Sequence, residues 1–430
     1  MVTAVISRLG LKSKLNMAIP FTFTKRMPRE WALRGVLAIG AAWLGYGAVN
    51  DSIAYAIQGS STDRAHAISP SNGRITALLS NKTIQSAATV EGLVRADALA
   101  RMALKQDASA VDAVATLALI AQGRRDNQTA RRLFAYSDNL SRRDLRTRLG
   151  IIEEAVARGD VPSVLRNYDI ALRTSRLAGD ILFPVLSSAI ADAAVRKQLI
   201  LMLATVPPWS SSFISYVTMQ GPDTQATAAL LRALYQQRIV LPTDTAAIII
   251  DRLIAQNQGS AAWTYYATVT PNVDPRRSRD PSFDKGPDVP SAFDWKPLQD
   301  SGITTSVQRN EGGGVFEFAA ATSIGGPVLR QMQVLPPGYY VLEGQSAEID
   351  QDGAALPYWS LNCLSGREIG RITVPNSGRN GGRFAGRLTV PADCPVQDLT
   401  LVTRGSDKVS GTTGQILQTA LRPAQRSEPK

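Results

Sequence analysis

The run Trp31–Val49, WALRGVLAIGAAWLGYGAV, restricts the fold more than any other stretch. About 20 predominantly apolar residues suffice to cross a bilayer as a helix. Its one charge, Arg34, stands near the entry edge, from which a long side chain reaches the headgroups. Arg8, Lys12, Lys14, Lys25, Arg26 and Arg29 precede the run, opposed by Glu30 alone. Positive charge on the near side holds the N-terminus in the cytoplasm. The expectation is a basic cytoplasmic tail over 1–30 and a transmembrane signal anchor over 31–50. That gives a single pass through the inner membrane, with the bulk of the chain in the periplasm. Met27 opens MPREWALRG and is an alternative start. A cleaved signal peptide is the competing reading, with Ala54-Tyr55-Ala56 as the small-x-small segment. The intervening Asn50-Asp51 and the length of the apolar run favour retention.

Export changes how the cysteines are read. Cys363 and Cys394, 31 residues apart, are expected to form a disulfide in an oxidising compartment. Closing a loop of that size contributes about 3 kcal/mol in the chain-entropy picture. The formal charge is +11, but part of the excess sits in the tail, where it sets topology. No nucleic-acid partner follows from it. At 430 residues, two or three domains are expected.

Residues 62–270 are rich in Ala, Leu, Arg and Gln, with apolar residues at helical spacing. A period of 34 runs through them. Ala96, Ala130 and Val164 fall in step, as do Ala100, Phe134 and Tyr168, and Ala103, Ser137 and Ala171. Within each unit the spacing i, i+4, i+7 is one helix face. Leu117-Ala118 with Ala121 matches Ile151-Ile152 with Ala155 on a preceding helix, with turns at Gly123–Asp126 and Arg158–Asp160. On these residues the chain resembles the tetratricopeptide family over roughly 90–176, with ADALARMALKQDAS and GDVPSVLRNYDIALR as repeat segments. The resemblance implies an α-solenoid of helix pairs that binds protein partners. The Trp and Gly usual in the first helix and the closing Pro are missing. After 176 the register fades, Pro184, Pro207-Pro208 and Pro242 are expected to punctuate further helices, and GSAAWTYYATV reads as a final second helix. Eight arginines over 124–148 read as a solvated helix surface, with a docking face as the sharper alternative.

From 271 to 292 the composition shifts to prolines and charges, which marks a Pro-rich linker. Over 293–421 the apolar period becomes 2: GVFEFAAA, YYVLEGQSAEI, YWSLNCL, RFAGRLTV and DLTLVTR alternate between Gly-, Pro- and Asp-containing turns. An antiparallel β-sandwich is expected, followed by a disordered tail over 422–430. The fold class is therefore a multidomain α + β chain: transmembrane helix, α-solenoid, C-terminal sandwich. Alternation places Trp359, Leu361 and Cys363 inward, and likewise Phe384, Leu388 and Val390, with Leu399 and Leu401 on the closing strand. It sends Arg383 and Arg387 outward, with Arg367 and Arg371 nearby in sequence and Tyr358 expected on a neighbouring strand. Tyr358, Arg367, Arg371, Arg383 and Arg387 are the candidate glycan-binding residues, suited to an acidic polysaccharide through guanidinium–carboxylate pairing and ring stacking. This organisation, with its late cysteine and closing strand, looks like the jelly-roll carbohydrate-binding modules.

No catalytic constellation is legible. The single histidine, His66, reads as a surface residue, which argues against Ser-His-Asp, Cys-His and histidine-ligated metal chemistry. Gly312-Gly313-Gly314 lack a phosphate lysine and read as a hairpin turn. Asp350, Asp352 and Gly353 lack the full calcium-loop spacing. No cofactor and no metal is called for. The functional expectation is a non-enzymatic, membrane-anchored periplasmic scaffold whose solenoid binds protein partners and whose sandwich binds glycan or protein, similar to accessory proteins of exopolysaccharide and envelope assembly. The alternative is a polysaccharide-active enzyme using carboxylates of the β-domain.

Overall fold

The computed structural model describes residues 28–310 and 313–424. The basic residues from Arg8 to Arg26, Met27, Gly312 and the tail beyond Ala424 lie outside the described residues. Two compact units divide between Ser141 and Arg142.

The first unit holds α1 (Pro28–Ile57), α2 (Thr62–Ile68), α3 (Gly73–Ser86), α4 (Val90–Gln106), α5 (Val111–Gly123) and α6 (Asn127–Leu140). Helix α1 outruns the apolar stretch. Trp31 to Val49 is exposed all round, Trp43 at 75%, whereas Ala54 is fully buried against Ala65 and Ile75. Asp51 accepts from Ser69 Oγ and from Asn72 Nδ2, so this residue anchors the helix to its neighbours instead of ending it. Arg29–Ile57 is long and apolar enough to cross a membrane or serve as a signal anchor. His66 is not a free surface residue: it is half-buried on α2, its Nδ1 3.3 Å from Thr76 Oγ1. Helix α3 packs on α4 and α5 on α6. The residues in step at 34 meet there: Ala96, Ala100 and Ala103 on α4, and Ala130, Phe134 and Ser137 on α6, are buried. Helix starts are fixed by side-chain caps, such as Asp126 Oδ1 accepting from Thr129 N.

The second unit continues with α7 (Leu145–Ala157), α8 (Val161–Thr174), α9 (Ala178–Ala189), α10 (Ala193–Leu203), α11 (Ser210–Gln220), α12 (Thr224–Gln236), α13 (Thr245–Ala255) and α14 (Gly259–Val269). Helix α9 packs on α11 and α11 on α13, while α8 packs on α10, α10 on α12 and α12 on α14. That is a two-layer solenoid, and it persists where the sequence period fades. Pro184 lies inside α9 and does not break it; Ser187 and Ser188 both donate to its carbonyl. Arg148 is buried with Nη1 3.0 Å from Asn167 Oδ1, so the arginine-rich stretch is not one solvated surface.

The Pro-rich segment is packed, not loose. Arg279 lies buried within it; its guanidinium donates to Phe293 O and Met332 O and, at 2.7 Å, to Gln333 Oε1. The same cation lies 5.6 Å from the Trp263 ring centre on α14. Asp251 on α13 accepts from Ala292 N and Lys296 Nζ. One apolar core accordingly runs from Tyr168 through Leu231 and Ile250 to Phe293, Met332 and Val396.

The sandwich is built from β1 (Lys296–Pro297), β2 (Ile303–Asn310), β3 (Gly313–Ala320), β4 (Gly326–Gln333), β5 (Gly338–Ala347), β6 (Tyr358–Cys363), β7 (Glu368–Thr373), β8 (Arg383–Val390), β9 (Gln397–Thr403) and β10 (Thr412–Pro423). The strand orders are β1-β4-β9-β6-β7 and β2-β3-β10-β5-β8, antiparallel throughout. The inward sets expected from alternation fill the core: Trp359, Leu361, Phe384, Leu388, Val390, Leu399 and Leu401. Strand β10 continues to Pro423, past the expected end at 421. Cys363 and Cys394 are bonded, with Cα atoms 5.4 Å apart, tying the end of β6 to the connection before β9.

Candidate functional site

The five candidate glycan-binding residues do not share one face. Tyr358 and Arg371 lie on β6 and β7 of one sheet; Arg383 and Arg387 lie on β8 of the other. Strand β8 pairs with β5, so the strand carrying Tyr358 is not its neighbour. Arg371 sits 4.1 Å from the Tyr358 ring centre and Arg404, which the sequence reading missed, 4.7 Å. Two guanidiniums on one ring leave it a poor platform for a sugar. Arg371 is also paired with Glu368, whose carboxyl is held below its ordinary range by that hydrogen bond. Arg367 pairs with Asp393 beside the disulfide.

Arg383 and Arg387 behave differently. Both are exposed, and among the described residues neither makes an ion pair or side-chain hydrogen bond. They stand four residues apart on one face of β8, about 13 Å along the strand. Across the ladder the cross-strand pairs are Arg383 with Gln345, Ala385 with Glu343, Arg387 with Val341, and Thr389 with Tyr339. Tyr339 is 73% exposed and diagonal to Arg387, within reach of a long side chain. Glu343 is neutralised by a bidentate pair with Arg422 on β10. Gly382, at φ +71°, lets the chain turn into β8 against Ser346 O, where a Cβ would lie 1.9 Å from that oxygen. The result is an open, net-cationic face of β10, β5 and β8 with one free aromatic ring.

Asp280 Oδ1 accepts from the backbone N–H groups of Asp284 and Lys285, and burial, followed by the neighbouring Asp284 carboxyl, raises the Asp280 carboxyl. Asp350 Oδ2 receives Lys408 Nζ at 3.0 Å, and no cluster of three metal-ligating side chains occurs among the described residues.

No protein-family model and no curated protein matches the chain. Among solved structures, the enzymatically active domain of tailspike protein 4 from bacteriophage CBA120 is 13% identical over 35% of this chain, with a TM-score of 0.25. This chain spans only 22% of that domain. The CBM22-1 xylan-binding domain of Paenibacillus barcinonensis Xyn10C is 13% identical, covering 34% of this chain and 94% of its own, at a TM-score of 0.23. Pseudomonas aeruginosa pilF is 16% identical, covering 47% of this chain and 93% of its own, at 0.24. Likeness of this degree transfers neither ligand nor role.

Proposed function

We propose that the chain is a single-pass, inner-membrane-anchored periplasmic scaffold of envelope or exopolysaccharide assembly. Its helix pairs hold protein partners, and its sandwich holds an acidic polysaccharide on the β10–β5–β8 face. The observation carrying the ligand class is the unpaired Arg383 and Arg387 beside the exposed Tyr339. Guanidinium forks match uronate carboxylates, and an uncovered ring can stack on a sugar face. The packing of Ala54 on Ala65 and Ile75 supports retention of α1, since cleavage at Ala54–Ala56 would cut through the segment that makes this contact. The protein would act by binding, without catalysis.

The test uses the full chain in detergent micelles on an immobilised acidic polysaccharide. Retention should fall as salt rises, because exposed contacts are screened. Arg383→Ala with Arg387→Ala should abolish most of it, and Tyr339→Ala should weaken it several-fold, all with little change in melting temperature. Arg371→Ala, on the opposite sheet, should leave retention intact. Equal retention of the double variant and the parent would sink the assignment of this face.

A further inference from the structure

Helix α1 does not stop at the edge of its apolar run. The run 31–49 rises about 28 Å. That matches a hydrocarbon core of about 30 Å and leaves a headgroup layer of about 5–8 Å beyond Val49. Between Ala48 and Ile57 there is neither glycine nor proline. Ser52 Oγ donates to Ala48 O at 2.7 Å, and the helix passes through that layer without a joint. Ala54 is already packed on Ala65 and Ile75. The first helices therefore meet the bilayer with no linker between.

Asp51 sets the level at which they meet it. It stands two residues past Val49, about 3 Å along the axis and inside the headgroup layer. Its carboxylate accepts from Ser69 Oγ and, at 3.2 Å, from Asn72 Nδ2, which brings the α2–α3 turn to the same level. The α4–α5 turn follows: Pro70 O accepts from Gln106 Nε2 at 2.9 Å, and Arg74 Nε donates to Asp107 Oδ2 at 3.3 Å. Exposed on these turns are Pro70, Ser71, Lys105, Ala108 and Ser109, which suit the phosphate layer and not the hydrocarbon beneath it. The two acids are already occupied, Asp51 as above and Asp107 by Ser109 Oγ and N and by Arg74. The cations keep capacity. Lys105 is exposed, and its ammonium has no partner among the described residues. Arg74, its side chain 67% exposed, donates through Nε alone and leaves both Nη groups without a partner among the described residues. Ile53, about 6 Å past Val49, is 45% exposed, and the headgroup layer shields that surface from water.

We propose that the turns 69–74 and 107–110, with Lys105, dock on the phosphate headgroups of the leaflet that α1 exits. The proposal rests on the reading of α1 as a membrane span. Phosphate oxygens accept from the Lys105 ammonium and from the Arg74 Nη groups, in charge-assisted hydrogen bonds.

The test uses the full chain in vesicles of phosphatidylethanolamine and phosphatidylglycerol. Cys363 and Cys394 are bonded to each other, so Ser71→Cys or Ser86→Cys offers a single reactive thiol for a fluorophore. Ser86 is the control, at the other end of α3 and about 20 Å from its start. A lipid with a nitroxide on its headgroup should quench the label at 71 several-fold more than the label at 86. A water-soluble acetylating reagent should modify Lys105 several-fold more slowly in vesicles than in maltoside micelles, measured against Lys82, which is paired with Asp63. Equal quenching at the two positions, in protein that resists alkaline extraction, overturns the docking and leaves the span standing. Release of the protein by alkali overturns the span and the docking with it. Unchanged Lys105 reactivity, or equal protection by inorganic phosphate in micelles, overturns the assignment of lipid phosphate.

Discussion

At the scale of single residues, Asp280 gives the sharpest statement about pH. Burial and the contact with Asp284 raise its carboxyl above the usual carboxylate value. A carboxyl raised in the folded state favours folding most when protonated. That contribution is full below about pH 4 and is lost as pH climbs through the raised folded value. Asp280→Asn keeps an oxygen for the backbone N–H groups of Asp284 and Lys285. It should melt higher than the parent at pH 7 and flatten the decline above pH 4, as measured by calorimetry across that range. An unchanged pH profile would show that Asp280 is not the group responsible. Individual residues were also where the sequence was read least well. Alternation sent Arg383 and Arg387 outward correctly, because a strand's faces follow from parity alone. It could not say which strand lies beside β8, and so Tyr358 was grouped with them. Tyr339 carries the same parity signal in GYYVLEGQSA, where Tyr340 and Leu342 point inward, yet partner choice in an antiparallel sheet is a long-range matter. Arg404 left no signal, since it reaches Tyr358 from a loop 46 positions away.

Among the elements, helix faces and cysteine pairing were legible for a common reason: each depends on local periodicity or on compartment. The small residues at 34-residue spacing are those that let α4 and α6 approach their neighbours. Later helices keep the same layering with larger residues, Leu199, Leu203, Phe213 and Leu230, so the pattern of small residues disappears while the architecture continues. Pro184 was read as punctuation, but one missing N–H in a helix packed on α11 is survivable. The Cys363–Cys394 bond should contribute about 3 kcal/mol. Cys363→Ser with Cys394→Ser should lower the sandwich's denaturation midpoint accordingly in a chemical unfolding titration, and thiol labelling of the unreduced, denatured parent should find no free cysteine. Two labelled thiols in periplasmic material would remove the claim.

For the whole molecule, two outcomes are expected. A reporter active only in the periplasm, fused after Lys430, should be active, and one active only in the cytoplasm should be silent; the opposite pattern would overturn the proposed orientation. Within the second unit, Arg279 holds α14, the Pro-rich segment and β4 together. Its charge is expensive to bury, and that burial pulls its pKa down to about 10. Arg279→Met relieves that cost but strands the Phe293 and Met332 carbonyls and Gln333, for a net loss of about 2 kcal/mol or more. The parent should unfold from Arg142 onward in one transition, and the variant should show separate melts for helices and sandwich.

That buried guanidinium has one more consequence. Because it joins helices to strands, the later helix pairs and the cationic sheet face are carried on one body at a set separation. Such a body works as a ruler. Under the proposed function, a polysaccharide and a protein partner presented at the matching distance would bind with an effective concentration that neither site supplies alone. Presented at another distance, they would be held by separate copies of the protein, without that gain.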